Sequence, residues 1–409
     1  MTKRKHFFLI LLLGSLTALG PFSIDMYLPG FPAIAKDLHT TVAKVSLSLS
    51  GFFIGISIGQ LLYGPLLDRF GRKKPLYIGL ILYIIASIGC AYATDINTLI
   101  FLRCVQAIGS CAAAVASIAM VRDLFPVSEN AKVFALLMLV VGASPMIAPT
   151  VGGYVTTAFG WHSVFYVLML LGIINLVASI FGLEDKYEPD LTISLKPKPI
   201  LINFMTVVKE PQFYTYAITG GVAFSGLFAY VAGSPLLFMD IFAVKEETYG
   251  WIFAFLSIGL IGSSQLNTLM LKRYSSEQVI FAALTCQSIT GVIFLAGSFN
   301  GWFGLPATIF LLFIFLSCLG FSSPNTSALS MAPFTKNAGS ASALMGAVQM
   351  GLGTLASVGV SLFDTRSSLP MVAIMASTSL IALAVLYFGR KNIKHQINAD
   401  PEQAGGSFH

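Results

Sequence analysis

Apolar residues in this chain come in long runs separated by short polar stretches, and twelve such runs follow one another. A bilayer core about 30 Å thick is crossed by about 20 residues of helix. Each run therefore predicts a membrane span, at approximately 7–29, 45–66, 76–94, 97–121, 132–158, 163–183, 213–238, 250–271, 277–299, 305–330, 338–363 and 369–389. The fold class expected is an all-α integral membrane protein of twelve transmembrane helices. Met1–His6 followed by Phe7–Leu19 has the look of a signal peptide. The apolar run continues past Asp25 without a small-residue cleavage site, which predicts an uncleaved first span instead. An even number of spans puts both termini on one side.

Composition supports this reading. The chain is 56% hydrophobic and 10% charged, where soluble domains carry about 25% charged residues. Its 37 glycines and 18 prolines suit membrane helices, which tolerate both. The formal charge of +6 raises nucleic acid as a partner until its placement is followed. With the N-terminus inside, the basic groups Lys3–Lys5, Arg69–Lys74, Arg122 and Lys132, Lys186–Lys209, Lys272–Arg273, Lys336 and Arg390–Lys394 all face the cytoplasm. Only Lys36, Lys44, Lys245 and Arg366 face outward. That asymmetry follows the positive-inside rule and accounts for the basic balance without nucleic acid. The five cysteines all sit in apolar stretches with no metal-type spacing, as small packing residues do.

The longest polar stretch, Glu184–Gln212, holds Pro189, Pro197, Pro199 and Pro211. It reads as a cytoplasmic linker between two six-helix bundles, giving an N-terminal bundle over 1–183, a linker over 184–212, a C-terminal bundle over 213–389 and a tail over 390–409. A faint repeat agrees: Gly64–Gly71 ends span two as Asn267–Tyr274 ends span eight. Two pseudo-symmetric halves are how many transporters build a central site that alternates its exposure.

Two charges lie at membrane depth. A carboxylate inside a span is costly and usually marks a functional route, and Asp25 is the only acid well inside one. At 1.5 Å per residue it lies about 27 Å along span one, and Arg103 lies roughly 9 Å into span four from the opposite side. Both fall in the outer half of the membrane. Burial and a neighbouring guanidinium push a carboxyl's protonation in opposite directions, so a carboxyl balanced between them can load and release a proton. A static ion pair between spans one and four is the alternative, and a pair that breaks on protonation combines the two. Pro21, Pro29 and Pro32 predict a bend at the carboxylate, which makes Tyr27 either a cavity residue or an interfacial aromatic. Pro145 and Pro149, followed by Gly152 and Gly153, give span five a bent face poor in side chains. Such a face suits close helix approach or generic small-residue packing.

The turn Gly64-Pro-Leu-Leu-Asp68-Arg69-Phe-Gly71-Arg72-Lys73-Lys74 is the most specific segment. A passive anchor needs its lysines and arginines but neither its glycines nor Asp68, and Asp123 stands at the same surface to complete a charge network. At these residues the chain resembles the major facilitator superfamily. It is most similar to the twelve-span drug:proton antiporters of the bicyclomycin and chloramphenicol resistance (Bcr/CflA) type. The likeness runs through Ile24–Pro29, Gly59–Lys73, Arg103 with Gln106 and Gly109, Val121–Asp123, Ala148–Gly153, Gly233–Pro235, Pro324–Asn325 and Ala338–Ala343. It departs from the family pattern at Ala107, at Ala148 and at Thr17, where some drug antiporters carry a second acid.

The resemblance implies that Asp25 carries the proton and that Arg103 couples it to substrate. It implies that Gly64, Asp68, Arg69, Gly71, Arg72 and Asp123 control the conformational switch, and that Pro145, Pro149, Gly152 and Gly153 match the antiporter helix. Tyr27, Gln60, Gln106, Met138, Phe224, Phe228 and Asn325 are the expected cavity residues, because aromatic and methionine surfaces re-pack around varied cargo. The expected function is proton-driven efflux of small amphipathic molecules across a bacterial inner membrane, with both termini cytoplasmic. An endogenous cargo such as an amino acid, nucleoside or siderophore is the alternative. Expected partners are cargo, protons and lipid, with no cofactor and no metal, for a chain acting as a monomer. An enzyme is not expected: His6, His39, His162, His395 and His409 fall in loops or tails, and no nucleotide-binding loop is present.

Overall fold

The computed structural model describes residues 3–125, 127–183, 189, 204–334, 338–363 and 367–393. Among them twelve helices are long and apolar enough to cross a membrane: His6–Asp37, Val42–Phe70, Lys73–Ala91, Ile96–Val121, Leu139–Phe159, His162–Gly182, Pro211–Ile241, Glu246–Met270, Ser276–Phe299, Leu305–Met331, Ala341–Ser361 and Leu369–Asn392. They are spans one to twelve below. The bundle end carrying the N-terminus is the terminal face, and the opposite end is the far face. The linker expected over 184–212 and the tail expected over 390–409 lie largely outside the described residues.

Helix ends follow local chemistry. The Thr41 hydroxyl accepts from the Lys44 amide to start span two, and Ser275 and Gln278 form a reciprocal cap at span nine, each satisfying amides that have no intrahelical partner. Asp95 accepts from the Thr98 amide and hydroxyl at the head of span four. Those hydrogen bonds hold its carboxyl below the ordinary carboxylate range. Span two stops at Gly71, whose φ of +82° suits glycine and few other residues.

Span one departs from the sequence reading. Its helix runs from Lys3 to Asp25 with Pro21 inside, a single turn follows at Leu28–Gly30, and a second helix continues over Phe31–Asp37. The span reaches Asp37, beyond the predicted end at 29, because Pro29 and Pro32 each stand at the start of a new helical segment, where the missing amide does no harm. Span seven is interrupted in the same way, its α-helix giving way after Pro235 to a wider π-helical turn over Leu236–Ile241. His6 and His162 stand in helix ends, where the sequence reading placed all five histidines in loops or tails.

The packing repeats. Span one rests mainly on spans four, five and six, span two on four, and span three on four and six. Adding six to each number gives the main contacts of the second half: seven on ten, eleven and twelve, eight on ten, and nine on ten and twelve. The halves meet through spans two and eleven and through spans five and eight, pairs that the same shift exchanges. Small residues set these distances. A Cβ on Gly51 would lie 2.9 Å from the Ile100 carbonyl oxygen, one on Gly55 would strike the Cys104 carbonyl, and one on Gly59 would meet the Cys111 side chain, all of span four.

Candidate functional site

The two halves close on each other toward the far face. The Ser46 hydroxyl donates to the Ala232 carbonyl at 2.9 Å, Ser50 and Ser357 share a hydrogen bond of 2.7 Å, and Thr157 donates to Glu246 at 3.1 Å. Toward the terminal face the contacts thin out, with no described atom within 4 Å of a Cβ built on Gly64 or Gly262. Every residue from 343 to 352 on span eleven is partly exposed, whereas buried positions recur over 353–361. A helix exposed all round has lipid on one side and a cleft on the other, so the cleft opens at the terminal face.

Asp25 lies at the break in span one. It is the last residue of span one's first helix and 5% exposed. No hydrogen bond or ion pair joins it to another described residue. Arg103 lies at the same depth and is fully buried, yet it does not pair with Asp25. It donates to the Ser23 carbonyl at 2.7 Å and to Gln106 Oε1. That carbonyl belongs to the last turn of a helix, where oxygens lack an intrahelical partner and attract positive charge. Rings complete the shell, with the guanidinium carbon 4.1 Å from the centre of Tyr27 and 4.3 Å from that of Phe52. A desolvated cation over aromatic faces gains about 2 kcal/mol per good contact, which explains a buried arginine with no carboxylate beside it. Its Nε stays unpartnered.

The expected cavity residues divide. Gln106 is buried, and its amide nitrogen donates to Ser87 at 2.7 Å, so it orients Arg103. Tyr27 is buried too, bonding Ser48 at 3.2 Å while its ring carries the guanidinium. It is neither an interfacial aromatic nor an open cavity wall. Asn325 donates to Asn267 of span eight at 2.7 Å, inside the second half. Gln60 Oε1 is buried without a partner and faces Gly346 of span eleven. Phe228 crosses the boundary between halves to meet Phe53 edge-on at 4.4 Å, with Phe224 behind it at 5.5 Å. The Met138 side chain lies outside the described residues. A small pocket in the second half is lined by Tyr216, Gly220, Gly221, Thr326, Met345 and Gln349, and none of the expected cavity residues lines it.

Tyr230 and Tyr249 of the second half are buried and lie within electrostatic reach of the Asp25 carboxyl. Sequence reasoning linked neither tyrosine to Asp25. A tyrosine in an apolar run looks like filler until its hydroxyl has an address. Pro145 and Pro149 lie inside the span five helix, and its glycines press on backbone. A Cβ on Gly152 would strike the Met26 carbonyl, beside Asp25, and one on Gly153 would lie 2.7 Å from the Glu246 carbonyl oxygen.

At the terminal face Arg72 donates to Asp123 at 2.7 Å and to Asp68 at 2.6 Å. Burial alone would pull this guanidinium's pKa down, but the two carboxylates outweigh it and hold the pKa above its ordinary value. Asp68 is 46% exposed and Asp123 20%, so Asp123 carries more of the bond. Asp123→Asn should therefore lower the thermal unfolding temperature of the purified protein. About 1–2 kcal/mol is expected for a half-buried charged hydrogen bond, and Asp68→Asn should cost less. Equal melting of both variants and the wild type would remove the network from the stability of this turn. Arg69 stands beside the Phe70 ring at 5.7 Å, and the Arg122 side chain lies outside the described residues.

Comparison with known proteins agrees with this architecture. The family profile described as Major Facilitator Superfamily matches residues 13–358. An uncharacterized MFS-type transporter, YdgK of Bacillus subtilis, is 34% identical over 391 residues, 95% of this chain and 96% of that protein. A bicyclomycin resistance protein homolog of Haemophilus influenzae is 30% identical, covering 94% and 97%. The multidrug resistance protein MdtL of Escherichia coli is 29% identical, covering 93% and 96%. Among solved structures, a D-xylose–proton symporter superposes with a TM-score of 0.73 at 14% identity, covering 98% of this chain and 99% of that one. A bacterial homologue of the lysosomal transporter Spinster, solved inward-facing, gives 0.74 at 12% identity, covering 96% and 98%.

Proposed function

Because the chain belongs to the major facilitator superfamily, and so is a multi-pass membrane transporter, we propose that it exports small amphipathic molecules in exchange for protons. Relatives named for bicyclomycin and multidrug resistance support cargo of the bicyclomycin and chloramphenicol class. The single observation that supports proton coupling is Asp25, a buried carboxyl with no hydrogen bond or ion pair to another described residue, at the break in span one.

In this reading residues 1–183 and 213–389 form the rocking bundles, 184–212 join them and 390–409 form a tail. Lysine and arginine placement supports a cytoplasmic terminal face in a bacterial inner membrane. The cleft then faces the cytoplasm and takes cargo from that side. Asp25 exchanges its proton as access alternates, and the caged Arg103 couples its charge to the cargo. Gly64, Asp68, Arg69, Gly71, Arg72 and Asp123 form the switch at the cytoplasmic surface. Phe224, Phe228, Gln60 and Met138 are cavity positions, and Tyr27, Gln106 and Asn325 set the geometry behind them. The chain needs no cofactor and works as a monomer.

Expression in a strain stripped of its own pumps tests the reading. The inhibitory concentrations of bicyclomycin and chloramphenicol should rise several-fold, and the rise should vanish when a protonophore collapses the gradient. No change for any drug in a broad panel would defeat drug export as the function.

A further inference from the structure

Tyr216, Gly220, Phe224 and Phe228 succeed one another at four-residue steps, so they share one face of span seven. Phe228 and Phe224 form the apolar part of that face, against Phe53 of the first half. One turn nearer the terminal face the paired glycines Gly220 and Gly221 replace the rings. There span seven meets spans ten and eleven, which scarcely touch each other, and a hollow opens between Tyr216, Gly220, Ser323, Ser327, Met345 and Gln349. It has room for about one water molecule. Ser323, Ser327 and Gln349 are partly exposed, and their side chains bond no other described residue. The Thr326 hydroxyl beside them is already spent on the Ser322 and Ser323 carbonyls, at 3.1 and 3.0 Å. None of the lining residues is charged. Glu277 lies beyond Tyr216, whose hydroxyl donates to it, and takes a second bond from Arg390 at 3.5 Å. Gln60 of the first half reaches span eleven at Gly346, beside Met345, so the hollow borders the boundary between the halves.

We infer that this hollow is a socket for one uncharged hydrogen-bonding group, a hydroxyl or a carboxamide, of a cargo whose apolar body lies against Phe224 and Phe228. The inference rests on the proposed export of amphipathic molecules and deepens it by naming the end of the cargo that is read. Size limits the occupant: room for one water admits one such group and not a ring. Charge limits it further. A cation finds no carboxylate in the wall and an anion finds no base, and a charge taken from water without a partner is costly. A hydroxyl or carboxamide both donates and accepts, as the serines and Gln349 do, so it takes over the hydrogen bonds that solvent makes there. The glycines let the wall converge. A Cβ on Gly220 would lie 2.5 Å from Thr326 Oγ1, and one on Gly221 would lie 3.0 Å from Leu352. Without side chains at both positions, spans ten and eleven come close enough to offer their polar groups to the same atom.

The test uses the purified full-length protein and chloramphenicol, an uncharged probe with hydroxyl and amide groups. Gln349→Leu keeps the bulk and removes both hydrogen-bonding ends, so the dissociation constant should rise about threefold to tenfold, the size of one hydrogen bond between neutral groups. Tetraphenylphosphonium, a cation with no hydrogen-bonding group, should show no such loss. Ser327→Cys gives a second measurement and serves if Gln349→Leu fails to insert. A maleimide should modify the new thiol, with mass spectrometry reading the site, and saturating chloramphenicol should slow that reaction severalfold. Wild-type affinity in Gln349→Leu, equal losses for both probes, or a thiol at position 327 that reacts unhindered under saturating chloramphenicol overturns the inference while leaving export standing. A wild-type protein that binds neither chloramphenicol nor bicyclomycin would instead remove the drug-export reading, and this inference with it.

Discussion

Asp25→Asn should abolish transport driven by a proton gradient and leave the fold standing. The asparagine has nearly the same shape but cannot exchange a proton, so every step that depends on loading the carboxyl stops. In vesicles with an imposed pH gradient, uphill drug movement should fall by at least about two orders of magnitude, a loss of about 2.7 kcal/mol or more of coupling. Movement down the drug's own gradient should survive, because the cleft, the Phe53–Phe228 contact and the Arg103 cage are untouched. Stability should hold for a separate reason. Removing one member of a buried ion pair costs about 3–5 kcal/mol through the charge left behind, but Arg103 leans on the Ser23 carbonyl, on Gln106 and on aromatic faces. The variant should therefore melt within about 1 kcal/mol of the wild type, as an exchange that leaves no new unpaired charge should. Gradient-driven transport at the wild-type rate would end the role of this residue.

Much of this molecule is legible in its sequence because lipid makes one demand of every span. About 20 apolar residues must succeed one another, and the runs show it without reference to any partner. Depth is legible too, since rise per residue placed Asp25 and Arg103 at one level, and the Arg103 bond to the Ser23 carbonyl shows them there. What a run cannot show is which face of a helix meets what. Gln106 and Asn325 look like cavity polar groups from sequence, yet each is spent on a neighbour, Arg103 in one case and Asn267 in the other. The continuation of span one to Asp37 was hidden for a related reason: prolines that usually end helices here begin new segments. Tyr249 was missed because its significance lies 224 positions away in the chain, a relation that only the packing of spans one, seven and eight creates.

The glycines of span five make the second large prediction, because they turn a composition signal into a steric one. Gly152→Ala places a methyl group against the carbonyl of Met26, and the neighbouring Met26 atoms it would meet are also backbone. A clash with a side chain relaxes by rotation, but a clash with backbone at a helix break moves the helix. Spans one and five must then part at the residue after Asp25, beside the proposed coupling site. Overpacking of this kind costs about 1–3 kcal/mol, and the displacement should reduce gradient-driven transport by at least about tenfold, the equivalent of 1.4 kcal/mol. Gly142→Ala, ten residues or nearly three turns earlier on the same helix, is the internal comparison. Its nearest described atoms are the tip of Ile261, 3.8 Å away, which is ordinary contact, and its methyl should be accepted with a slight gain in helix propensity. Melting temperature and vesicle flux of the two variants, measured side by side, separate backbone contact from generic small-residue packing. If Gly152→Ala transports as well as Gly142→Ala, the approach of span five to the Met26 carbonyl has no part in coupling.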